Sequence, residues 1–187
     1  MLTKEKTSAG IADRKCALQD VTKYLCEDIR NLLSNIDSDI ADSIEEIRLR
    51  AGKPVIVQNY NNEWFLDKKG QLAKEAKNPY IPRQEEILKT LELMSENSIY
   101  AFQDEIKNGF ITLRGGHRVG IAGRVVLDGG SVKNIKDISG LNIRISKEIK
   151  GCARKIMKFV INKNQVLNTL IISPPQCGKT TMLRDIA

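Results

Sequence analysis

The sequence predicts an α+β fold: helices with mixed or antiparallel strands form an N-terminal domain, which the truncated start of an α/β nucleotide domain follows. Helical periodicity marks residues 16–36 and 82–97, and short strand-like runs joined by glycine and asparagine turns mark residues 44–66 and 110–145. Near the end of the chain, an apolar run leads into a Gly-Lys-Thr turn and a helix-forming segment. Runs of strands and helices without strict alternation are typical of α+β domains.

The N-terminal third predicts one helix and three strands. Apolar residues recur at helical spacing through 16–36, whereas residues 1–15 are polar and are expected to be disordered. Alternation of Ile47 and Leu49 with arginines predicts a strand, and further strands are expected at 55–57 and 63–66. Residues 68–77 are polar and are predicted to be a loop.

The middle of the chain predicts two helices followed by hairpins. The helices are expected at 82–97 and 98–108, with Gly109 as the C-terminal cap. Strands are expected at 110–114, 117–127 and 141–145, with glycine turns at 115–116 and 128–130. Gly120 and Gly123 lie within a strand and indicate a bulge or a close backbone approach.

A helix over 147–161, capped by Ser146, and a buried strand over 166–172 complete the prediction. The expected domains are therefore residues 16–162, an α+β domain, and residues 163–187, the first strand, phosphate loop and partial helix of a truncated nucleotide domain. His117 is expected to be a surface residue beside a turn.

The strongest functional motif is SPPQCGKT at 173–180. A strand, a phosphate-cradling turn and a helix N-terminus in this order are the context of a P-loop, or Walker A motif. Ser173 stands where the usual pattern has its first glycine. Gly178 permits unusual backbone angles and a close approach of phosphate.

The motif assigns a role to each of its residues. Lys179, the predicted catalytic residue, would reach the β- and γ-phosphates of ATP, and the Thr180 hydroxyl would ligate Mg²⁺. Backbone amides of the loop would form an anion-binding nest. The full set of predicted nucleotide-binding residues is Ser173, Gln176, Cys177, Gly178, Lys179, Thr180 and Thr181.

Composition argues against several other functions. The net charge of +7 permits an anionic partner, but aromatic residues, on which the bases of single strands stack, make up only 5% of the chain, which argues against nucleic acid. The four cysteines lack C-x-x-C spacing, which argues against zinc and favours reduced thiols in a cytoplasmic protein. No apolar run is long enough to span a membrane, and residues 1–15 do not resemble a secretory signal.

Four segments resemble the stage III sporulation protein AA family of spore-forming bacteria: 46–55, 116–126, 135–153 and 170–187. The Ser-Pro-Pro-Gln-Cys version of the loop is part of this resemblance. More distantly, the chain is similar to the hexameric ATPases of type II and type IV secretion and pilus systems, whose N-terminal domain precedes a P-loop domain of the RecA type.

The resemblance implies a cytoplasmic, homohexameric ATPase, peripheral to the membrane, that energises a mother-cell-to-forespore channel during sporulation. It also implies docking on an integral-membrane partner. Arginines before the P-loop contact nucleotide phosphates in such ATPases, which makes Arg118 and Arg144 candidates here and Arg124 a weaker one. The alternative is that these arginines project into solvent or pair with nearby acids.

Two further alternatives concern the function as a whole. The chain could be a non-catalytic module that docks a partner and carries an incidental or vestigial P-loop, or a basic module that binds nucleic acid. Because the parts that phosphoryl transfer needs beyond the loop are not found in these residues, the chain alone is not expected to hydrolyse ATP.

Overall fold

The computed structural model describes residues 17–96, 98, 102–147, 149–163, 165–174 and 177–186. They form two compact units, one up to Ser146 and one from Lys147 onwards. The predicted disorder of residues 1–15 and the role predicted for Gln176 lie outside the described residues. The domain boundary predicted at 162/163 stays a prediction, although the units divide sixteen positions earlier.

The first unit is built around a seven-stranded sheet in the order β4-β3-β2-β1-β7-β6-β5, with all its described pairings antiparallel. Its strands are β1 (Glu46–Arg50), β2 (Ile56–Gln58), β3 (Glu63–Leu66), β4 (Leu72–Ala73), β5 (Phe110–Thr112), β6 (Arg118–Asp128) and β7 (Ser131–Arg144). The prediction of helices with antiparallel strands is confirmed. Strand β4 lies inside the predicted loop 68–77.

Side-chain alternation assigns one face of the sheet to the core. Ile47 and Leu49 of β1 are fully buried together with Leu141 and Ile143 of β7, their partners in register. The helices that complete this core are α1 (Ala17–Thr22), α2 (Glu27–Ser34), α4 (Gln84–Met94) and α5 (Gln103–Lys107), and a short α3 (Ser38–Ala41) leads into β1. The arginines of β1 alternate onto the opposite face.

The helix predicted over 16–36 is divided into α1 and α2, although its apolar stripe is buried as expected. The Cys26 amide donates to the Thr90 hydroxyl at 3.1 Å instead of to a helical carbonyl. The Arg30 guanidinium donates hydrogen bonds to the carbonyls of Thr22, Lys23 and Leu25. Tertiary partners therefore replace the hydrogen bonds that would have continued the helix.

Strands β6 and β7 form a long ribbon, of which the sequence predicted only part. A register shift lies between Ala122 and Arg124, so the predicted bulge at Gly123 is confirmed. A Cβ at Gly123 would lie 2.7 Å from the Lys136 carbonyl oxygen, which explains why glycine is needed there. Gly120, by contrast, is paired regularly.

His117 is buried, with 2% of its surface exposed, so its predicted surface position is wrong. Its Nδ1 accepts a hydrogen bond from the Ser146 amide at 3.0 Å. The ring therefore joins the start of β6 to the end of β7. The same bond engages Ser146, which was predicted to cap a helix.

The second unit contains α6 (Met157–Val160), the two-residue strands β8 (Ile161–Asn162) and β9 (Gln165–Val166), and α7 (Lys179–Ile186). The helix predicted over 147–161 is wrong: turns occupy 150–156, and Gly151 has a φ of +81°. The strand predicted over 166–172 is reduced to β9, since none of the described residues pairs with 168–172. Leu170 and Ile172 are consequently exposed.

Candidate phosphate-binding site

The described part of the predicted P-loop leads directly into helix α7. Gly178 has a φ of +76°, the left-handed conformation that glycine adopts without strain. The first helical hydrogen bond runs from the Met182 amide to the Gly178 carbonyl at 2.9 Å. The amides at 179–181 therefore precede the first intrahelical donor, and such amides are available to an anion.

Lys179 folds back over the loop that precedes it. Its ammonium donates to the Ser173 carbonyl at 2.8 Å, to the Ser173 hydroxyl at 3.3 Å and to the Pro174 carbonyl at 2.8 Å. These three acceptors hold the Lys179 ammonium beside residues 173 and 174, at the start of the loop. An incoming phosphate would have to replace them, and its charge makes it a stronger acceptor than a carbonyl.

The other predicted loop residues differ in accessibility. Cys177 and Thr180 are exposed, whereas Ser173 and Thr181 are half-buried. The Thr180 hydroxyl is thus accessible to a metal-bound phosphate. Among the described residues, no cluster of three or more histidine, cysteine or acidic side chains could hold a metal ion.

Asp185, which the sequence analysis missed, ties the C-terminal turn of α7 to the turn at 150–156. Its carboxylate accepts the Gly151 amide at 2.8 Å and the Ala153 amide at 2.7 Å. The pKa of Asp185 lies below its usual value, mainly because of the hydrogen bond from the Ala153 amide and secondly because of the one from the Gly151 amide. An acid in the last turn of a helix opposes the helix dipole, and this unfavourable position was the available signal of a tertiary partner.

We expect Asp185→Asn to loosen this turn. The Asn side chain has one uncharged carbonyl oxygen and cannot replace both carboxylate oxygens as acceptors. The Gly151 and Ala153 amide protons should therefore exchange with solvent faster, which hydrogen-exchange experiments measure. Because the pKa is lowered in the folded protein, the stabilisation is present above the unfolded pKa and is lost as pH falls through the folded pKa. The variant should lack that acid-dependent loss. Equal exchange at Gly151 in both proteins would contradict the role given to Asp185.

The three predicted phosphate-contacting arginines lie in the sheet of the first unit. Arg118 and Arg144 are directly opposite each other in β6 and β7. Arg144 pairs with Glu46 at 3.3 Å, Arg124 pairs with Asp137 at 2.7 Å, and the Arg118 guanidinium stacks on the Phe110 ring at 3.8 Å. For Arg124 and Arg144 the pairing alternative is thus observed in this structure. Phosphate contact by any of the three stays a prediction.

Comparison with known proteins identifies the family. The family described as sporulation stage III, protein AA, matches residues 14–187. The chain belongs to this family. The resemblance noted in the sequence is thereby confirmed over nearly the whole chain.

A curated relative of this family member is stage III sporulation protein AA of Bacillus subtilis (strain 168). The two are 38% identical over 170 residues, which cover 91% of this chain and 51% of the relative. The chain therefore spans about half the length of the curated relative it matches.

Among solved structures, this stage III AA family member is similar to the VirB11 ATPase of the Brucella suis type IV secretion system, crystallised with sulphate. The identity is 12%, the TM-score is 0.37, and the match covers 84% of this chain and 40% of the ATPase. Within the described residues, no helix has both the length and the apolar character needed to cross a membrane.

Proposed function

We propose that this chain is the N-terminal part of an ATP-binding, secretion-type ATPase that acts in sporulation and energises a channel between mother cell and forespore. The observation that carries the proposal is the loop before α7, where the positive φ of Gly178 precedes the helix and Lys179 lies over the loop. Membership of the sporulation family supplies the biological context.

In this proposal ATP and Mg²⁺ bind at the loop. The amides of Cys177, Gly178 and Lys179 surround the phosphates, together with Gln176 and the amide or hydroxyl of Thr181. Lys179 exchanges its carbonyl acceptors for the β- and γ-phosphate oxygens, and Thr180 ligates Mg²⁺. The full-length protein would act as a cytoplasmic homohexamer against an integral-membrane partner.

Protection of Cys177 from alkylation tests nucleotide binding on this chain directly. Cys177 is exposed, Cys152 is half-buried and Cys26 is buried, so a maleimide should label Cys177 fastest of these three. We expect saturating MgATP to slow labelling of Cys177 markedly and AMP to leave it unchanged, since the loop binds the β- and γ-phosphates. Mass spectrometry of the labelled peptides locates the modified thiol.

Cys152 provides the internal reference, because it lies in the same unit but outside the loop. Identical labelling of Cys177 with and without MgATP, at concentrations that saturate known P-loop proteins, would contradict the proposal. That outcome would favour a module that docks a partner and carries a vestigial loop.

A further inference from the structure

The sheet of the first unit has a second face, opposite the core, which the proposed function does not use in full. The register aligns three rows of residues across β6, β7 and β1 on this face: Arg118–Arg144–Glu46, Gly120–Asn142–Arg48 and Ala122–Gly140–Arg50. We call this set the arginine face. It combines guanidinium groups at its rims with small residues in its middle.

The small residues leave a pocket in the arginine face. Its volume is about 220 Å³, and Arg50, Gly120, Ala122 and Asn142 are among the residues that line it. A Cβ on Gly140 would lie 3.2 Å from the Leu49 carbonyl oxygen and 3.3 Å from the Arg50 Cγ. Because both central strands lack bulky side chains here, another backbone can approach the floor of the pocket closely.

The charges on the face are only partly balanced. Arg48 contacts Glu46 at 2.5 Å and Glu63 at 3.2 Å, and Arg144 shares Glu46. Arg50 is exposed, and neither Arg50 nor Arg118 has an ion pair among the residues that the structure describes. Two guanidinium groups thus remain available to carboxylates that come from outside the unit.

The floor of the pocket also offers an acceptor. The Oδ1 atom of Asn142 is buried and has no hydrogen-bond partner within the described part of the chain. A buried acceptor without a donor is costly. The pocket is therefore suited to a ligand that carries an N–H donor between negatively charged groups.

We propose that the arginine face binds an acidic segment of a partner protein in an extended conformation. Its main chain lies over Gly120 and Gly140, a backbone N–H donates to Asn142 Oδ1, and its carboxylates pair with Arg50 and Arg118. Extended segments present side chains alternately to either side, so two acids on one side can reach Arg50 at the pocket and Arg118 beyond it.

Single-stranded nucleic acid fits this face less well. Glu46 and Glu63 lie among the arginines and would repel closely spaced phosphates. The Phe110 ring is already covered by the Arg118 guanidinium, so it is not available to stack on a base. A peptide can place its fewer charges to avoid the two glutamates.

The test uses a fluorescein-labelled ten-residue peptide of threonines with glutamates at its third and seventh positions, which lie on one side of an extended chain. Its binding to the 187-residue chain is followed by fluorescence anisotropy. We expect Arg50→Glu to weaken binding at least about tenfold, because it reverses a charge at the pocket. Lys89→Glu on α4 changes the net charge equally, on an exposed helix position away from the sheet, and should have little effect. Equal losses in the two variants would overturn the proposal.

Three further arms separate the possible ligands. Asn142→Leu keeps the size of the side chain but removes the acceptor, and it should weaken binding of the peptide several-fold. Unchanged binding would refute the hydrogen bond from the peptide to Asn142. A ten-residue oligothymidylate should bind more weakly than the peptide, and tighter binding that Arg50→Glu abolishes would assign the face to nucleic acid. Displacement of the peptide by MgATP from a Lys179→Ala chain would assign the face to nucleotide phosphates instead.

Discussion

Lys179→Ala should weaken ATP binding to this chain roughly ten- to a hundredfold, because hydrogen bonds to charged groups contribute about 1.5–3 kcal/mol and each 1.4 kcal/mol is a factor of ten. The lysine supplies the side-chain positive charge of the loop, and its ammonium already lies at Ser173 and Pro174. Equilibrium titration with a fluorescent ATP analogue measures the change. Circular dichroism should show the same fold in both proteins.

Two variants distinguish a role in phosphate binding from a general charge effect. Lys155→Ala removes the same charge from an exposed position of the same unit and should leave ATP affinity nearly unchanged. Mg²⁺ should increase the affinity for ATP less in Thr180→Ala than in the unsubstituted chain. The affinity for metal-free ATP should change less. If Lys179→Ala and Lys155→Ala bound ATP equally well, the loop would not be the nucleotide site.

Leu49→Ala should destabilise the first unit by about 2–5 kcal/mol, the usual range for truncating a buried leucine. Leu49 is fully buried in the central strand β1, opposite Leu141 of β7. Removing it leaves a cavity under the strand that carries Arg48 and Arg50. Urea unfolding followed by the fluorescence of Trp64, in β3, reports on this unit.

Leu127→Ala is the matched control. Leu127 lies in the β6–β7 ribbon with 62% of its surface exposed, so its truncation should change the free energy of unfolding by no more than about 0.5 kcal/mol. A loss below about 1 kcal/mol for Leu49→Ala would contradict the assignment of the core to this face of the sheet.

Local patterns predicted a large part of the fold. The alternation in 46–50 identified β1, and the positive φ at Gly109 and Gly178 agrees with the roles given to these glycines. The apolar stripe predicted over 16–36 begins with Leu18, Val21 and Leu25, which are buried, although the helix that carries its first part ends at Thr22. Such features depend on neighbours within a few residues, which the sequence displays directly.

The predictions that failed depended on partners distant in sequence. The Gly151 amide is bound by a carboxylate 34 residues away, and the Cys26 amide by a hydroxyl 64 residues away. Neither contact leaves a periodic signal. The arginine face was missed for the same reason, because only the pairing of β1 with β7 aligns Arg48 and Arg50 with Asn142 and Gly140.

At the candidate phosphate site, too, the features set by neighbouring residues were predicted and the contacts with distant residues were not. The sequence indicated Lys179 and the glycine before it, but not that Lys179 rests on Ser173 and Pro174, nor that Asp185 fixes the far end of α7. The positions of Arg118 and Arg144 in strands were anticipated, but not that the two strands are neighbours. Their present partners, Phe110 and Glu46, depend on the strand register.

The central claim is that the loop before α7 binds MgATP, and a crystal structure of this chain with Mg²⁺ and a non-hydrolysable ATP analogue tests it most directly. We expect the Lys179 ammonium to leave the Ser173 and Pro174 carbonyls and to contact the β- and γ-phosphates, with Thr180 on the metal. An analogue bound elsewhere, or no bound analogue at saturating concentration with Lys179 still at Ser173, would contradict the claim.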